Sequence, residues 1–93
     1  MEQQFIVAWA VLREKADQIG VRMRPVEPAS ALQHARRILS GHRESDGFWK
    51  LAEKGLLDLS LEALAVDKRF TGLFSDEEAN NALTRLLDAG YRF

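Results

Sequence analysis

Three observations on the 93-residue chain predict an all-α fold. Ala, Leu, Glu, Lys, Arg, Gln and Met fill 52 positions against ten for Val, Ile and Thr, so local preference favours helix nearly throughout. Apolar residues recur at spacings of three and four rather than two. The six Gly and two Pro fall where those periodic stretches begin or end. The expectation is a compact bundle of four to five short helices, one domain over residues 1–93, with room for a minimal extended pairing of 21–24 with 91–93. A chain of this size buries about 64% of its unfolded surface, which leaves a thin margin of stability.

The first helix is predicted from Gln3 to Ile19, with Gly20 suited to the left-handed position beyond its end. Phe5, Trp9, Leu12, Ala16 and Ile19 share one face and belong to the core. Its first half is apolar on the other side as well, through Ile6, Val7, Ala10 and Val11. A helix apolar all round needs cover on all sides. Val21 to Glu27 alternates with period two but is interrupted by Pro25, and reads as an extended linker or short edge strand. Its one conceivable partner strand is Tyr91-Arg92-Phe93.

Pro28 suits the first turn of a second helix that runs to Ser40 and stops at Gly41, with Ala31, Leu32, Ala35, Ile38 and Leu39 inward. After the polar loop 42–46, Ser45 or Asp46 is expected to cap a third helix through Lys54, with Phe48, Leu51 and Ala52 inward and Trp49 at their edge. A fourth helix is expected from Leu59 or Leu61 to Arg69, capped by Asp58 or Ser60. Phe70 and Phe74 flank a Thr71-Gly72 turn, and of Phe48, Trp49, Phe70 and Phe74 one or two are expected to be partly exposed. The last helix opens on Ser75-Asp76-Glu77-Glu78, the reciprocal capping box, and carries Ala79, Ala82, Leu83, Leu86 and Leu87 as its stripe. Gly90 and apolar Tyr91 fit its C-terminal cap.

Composition excludes several functions. With zero Cys there is no disulfide, thiolate metal site or cysteine nucleophile. The longest apolar run, Phe5 to Leu12, falls far short of the ~20 residues that cross a bilayer. Glu2-Gln3-Gln4 before that run does not resemble a signal peptide, so a cytoplasmic protein without membrane association is expected. No phosphate loop, zinc-protease helix, nucleophile elbow or calcium loop is present. His34 and His42 match no established ligand spacing, and the acidic pair Glu77-Glu78 is accounted for by its helix start. The expectation is therefore no catalytic residue, no metal and no cofactor.

Charge is polarised along the chain. Residues 1–43 hold seven basic residues against four acids, and residues 44–93 six against ten. Arg22, Arg24, Arg36, Arg37 and Arg43 concentrate between the linker and the loop after the second helix. Guanidinium forks suit phosphate or carboxylate, so nucleic acid or an acidic protein surface is a candidate partner. A pI near 6.1 lacks the basic excess of a dedicated nucleic-acid domain, and a helix-turn-helix reading founders on Glu62 and Asp67 in its second helix. The leading expectation is a small non-enzymatic interaction module of the adaptor, regulator or inhibitor kind. It would self-associate as a homodimer through Ile6, Val7, Ala10 and Val11, with Trp49 as a further contact. The alternative is a nucleic-acid accessory protein working through the five arginines.

Overall fold

The computed structural model describes residues 1–91. Five α-helices fold here into a compact all-α bundle: α1 (Glu2–Gln18), α2 (Ala31–Ser40), α3 (Phe48–Glu53), α4 (Leu61–Ala65) and α5 (Asp76–Asp88). Tight 3-10 turns at Pro28–Ser30, Leu57–Leu59 and Lys68–Leu73 lead into α2, α4 and α5. No strand occurs among the described residues. Residues 21–27 form neither helix nor ladder, and the Tyr91 N–H donates to Leu86, so it closes a helix rather than a sheet. The rest of the suggested pairing, 92 and 93, lies outside the described residues.

Three helices end in the same way. At Gly20, Gly55 and Gly90 the chain turns left-handed, and paired N–H donors reach back to Asp17 and Ala16, to Ala52 and Leu51, and to Leu87 and Leu86. The apolar residue after Gly20 and after Gly90, Val21 and Tyr91, then packs against the core, whereas Leu56 after Gly55 is exposed. At the first of these ends Val21, fully buried, takes the core place expected of Ile19, which sits at the cap and is exposed.

The core has two lobes. In one, Phe5 and Trp9 of α1 meet Ala31, Ala35 and Leu39 of α2, and the rings of Phe70 and Phe74 stand edge-on to Phe5 at 5.5 and 5.3 Å. Edge-to-face pairs of this kind contribute about 0.5–1.5 kcal/mol each beyond area burial. Phe48, Phe70 and Phe74 are thus buried, and of the four aromatics Trp49 is the exposed one. In the other lobe Ala16 and Val21 pack with Phe48, Leu51, Leu57 and Leu86.

Three further expectations are corrected. The fourth helix ends at Ala65 because Asp67, in extended backbone, accepts from the Arg69 N–H and starts a new turn. Ser45 and Asp46 do not cap α3, whose N-cap is Gly47 at φ +76, because both side chains are engaged elsewhere. The inward face of α5 is Glu78, Ala82, Arg85 and Leu86, which leaves Leu83 and Leu87 exposed. The Ser75 capping box and the Ser60 cap form as predicted.

Candidate functional site

The rotation of α5 follows from an ionic network. Arg85 lies beneath the C-terminal end of α2, where unsatisfied carbonyls carry the negative end of the helix dipole. Its guanidinium donates to the carbonyls of Ile38 at 3.3 Å and Gly41 at 2.7 Å. It also contacts Glu62 Oε2 at 3.3 Å, with both side chains buried. Glu62 then accepts from the Ser45 N–H at 2.8 Å and the Ser45 hydroxyl at 2.5 Å. Asn81 Nδ2 adds a bond to the Leu39 carbonyl. The loop after α2 is consequently held at Gly41 and at Ser45 by one buried pair, and His42-Arg43-Glu44 is presented between two fixed points.

A second contact positions the other wall. Gly47 sits so close to Val21 that a Cβ there would lie 2.6 Å from Val21 Cγ1. This seats the extended segment against the start of α3 and places Arg22 beside it. Trp49, 53% exposed, packs its ring edge-to-face on Phe48 at 5.3 Å, and its Nε1–H donates to Glu44 Oε1 at 3.2 Å. The result is a groove of about 480 Å³ lined by Arg22, Arg43, Glu44, Trp49 and Lys50. Arg43 and Glu44 also line an adjoining hollow of about 400 Å³, which continues to Arg37 and His42.

The five arginines are thereby divided. Arg36 donates from Nε to both carboxylate oxygens of Glu78 at 3.1 Å, and Glu78 also accepts from the Ser75 N–H in the capping box. Arg24 faces Asp46, which is 3.8 Å from its Nε and accepts its backbone N–H. Arg22, Arg37 and Arg43 make no ion pair with any described residue. Trp49, distant in sequence from Arg22, joins this basic surface. Lys50 and Arg85 were not singled out in the sequence, and Glu62, which positions the loop with Arg85, figured there only as an obstacle to a helix-turn-helix reading. Glu62 and Arg85 did leave a signal, since each is the lone charge within a local run, Leu61 to Ala65 and Leu83 to Leu87, that is otherwise apolar but for Thr84.

On α1, Ile6 is half-buried against the first core lobe, whereas Ala10 is exposed and Val7 and Val11 are 54% and 41% exposed. The helix is not enclosed by its own bundle. Val7 lines a shallow hollow with Gln3, Gln4 and Arg69, separate from the one that holds Trp49. His34 and His42 line different hollows, and no three His, Asp or Glu side chains gather in a metal-binding group among the described residues. Arg13 lies over the Trp9 ring at 5.1 Å, where burial lowers its pKa, beside a cavity of about 20 Å³ with room for one water. No helix among the described residues is long and apolar enough to cross a membrane. Compared with protein-family models, curated proteins and solved structures, the chain finds no match.

Proposed function

We propose that the protein is a small non-catalytic interaction module, of the adaptor, regulator or inhibitor kind, that pairs with a second copy of itself through α1. The observation that carries this reading is the exposure of Val7 and Val11 on one stripe of a helix whose opposite side, at Phe5, Trp9 and Ala16, is fully committed to the core. Two α1 helices laid antiparallel bring Val7 against Val11 of the partner subunit and Val11 against its Val7, the reciprocal pattern of a two-fold contact. Ala10, between them, is small enough for close approach. The same register sets Gln4 opposite Glu14 and Gln3 opposite Lys15, so no like charges face each other directly. The seam is short, which makes the association weak and concentration-dependent. A reducing cytoplasm is the setting we propose for it, with which a chain that has no Cys is compatible.

Sedimentation equilibrium over a wide concentration range tests the reading. The expected result is a monomer–dimer equilibrium that Val7→Glu and Val11→Glu each abolish while helical circular dichroism is unchanged, because neither valine contributes to the core. A strict monomer at the highest concentration would overturn the proposal, as would a dimer indifferent to both substitutions.

A further inference from the structure

The groove beside Trp49 has a use that pairing through α1 does not touch. Three cations, Arg22, Arg43 and Lys50, surround one aromatic ring that is exposed yet held in place. The ring is fixed twice, by its edge-to-face contact with Phe48 and by the Nε1–H bond to Glu44. Glu44 is the one acid lining either hollow among the described residues, and its carboxylate is occupied in orienting the ring. The loop that carries Arg43 is itself pinned at Gly41 and Ser45 by Arg85 and Glu62, so little ordering remains to be done when a ligand arrives.

We infer that this groove is a docking site for single-stranded nucleic acid, one base stacking on Trp49 while the flanking phosphates lie against Arg22, Arg43 and Lys50. An aromatic face bordered by cations is the arrangement single strands require, because every base has a π-face and every linkage a charge. A run of acidic side chains would use the cations but has no flat group to place on the indole. The basic surface also does not end at one nucleotide: through Arg43 it passes into the hollow of Arg37 and His42, giving a track that a polymer can follow. An arginine set spread along the sequence becomes a track only because the Val21–Gly47 contact and the Glu62–Arg85 pair bring its walls together.

Fluorescence anisotropy with a labelled oligodeoxythymidylate of about a dozen nucleotides, within the site sizes of single-strand binders, tests this directly. Binding should weaken about 20-fold for a fourfold rise in monovalent salt if three phosphates are neutralised. Trp49→Ala should weaken it by about tenfold or more at constant charge. The double change Arg22→Glu with Arg43→Glu should abolish it, and Glu44→Gln, which keeps an acceptor for the indole N–H, should tighten it a fewfold. Because Trp9 is buried at 4% exposure, quenching of tryptophan emission by the oligonucleotide reports Trp49. Absence of binding at low salt would overturn the inference, as would binding indifferent to Trp49→Ala. Equal competition by polyglutamate of matched charge would overturn it in favour of an acidic protein partner. All four side chains are exposed or partly so, and Val7→Glu, which removes the α1 contact, leaves this groove intact, so the two proposals fail separately.

Discussion

Arg85 and Glu62, 23 residues apart, meet at 3.3 Å in the interior, and between them they hold both ends of the loop that follows α2. Breaking such a pair leaves a buried charge uncompensated, at a cost of about 3–5 kcal/mol. A domain this small has a total stability of only about 5–10 kcal/mol. Glu62→Ala and Arg85→Ala are therefore each expected to remove most of the stability in urea denaturation followed by circular dichroism. The joint replacement Glu62→Leu with Arg85→Met, which removes both charges and keeps apolar volume, should recover part of the loss. Near-wild-type midpoints for the single variants would show that the pair is not structurally required.

The Val21–Gly47 approach separates two kinds of glycine. Gly20 has a positive φ with open space around it, so Gly20→Ala meets only the backbone cost of the left-handed region, about 1–2 kcal/mol. Gly47→Ala meets that cost and a collision with Val21 as well, and is expected to lose about 3 kcal/mol or more. Comparing the two denaturation midpoints checks the order. Truncating Val21 to Ala in the Gly47→Ala background should recover less than it relieves, since Val21 is itself core.

Tyr91 is the chain's one tyrosine, so ultraviolet difference absorbance follows its hydroxyl alone. That hydroxyl donates to Asp58, and this bond, with lesser help from burial and the neighbouring negative charge, raises its pKa to about 12. The folded state thus holds the proton more tightly than the unfolded chain, whose tyrosine titrates near ~10. The resulting stabilisation is complete below pH ~10 and is lost as pH rises toward the folded value. The expected titration midpoint is about 12 for the folded protein, falling toward the unfolded one in Asp58→Asn. A midpoint already at the ordinary tyrosine value in the native chain would contradict the bond.

What could be read from residues alone was local. The Ser75–Glu78 capping box and the helix ends at Gly20 and Gly90 depend on neighbours within a few positions, and they form as the sequence implies. The stripe of α5 did not, because an apolar count favours Leu83 and Leu87, whereas the carbonyls at the end of α2 attract Arg85 inward and turn the helix with it. Asp67 is a similar case at short range, its carboxylate competing with helix continuation and bound to Arg69, which lowers its pKa. Half of the candidate groove was visible as arginines and an edge tryptophan. Their convergence was not, since it rests on Val21 meeting Gly47 and on Glu62 meeting Arg85, contacts between segments that no spacing rule connects.

The dependence of Glu62 and of the α2 terminus on Arg85 also bears on how the bundle closes. Without α5, Glu62 has no counter-charge and the last carbonyls of α2 face water. Neither can leave solvent cheaply until α5 packs. A fragment without α5 is therefore expected to stay open and expose its apolar surface rather than close as a partial bundle.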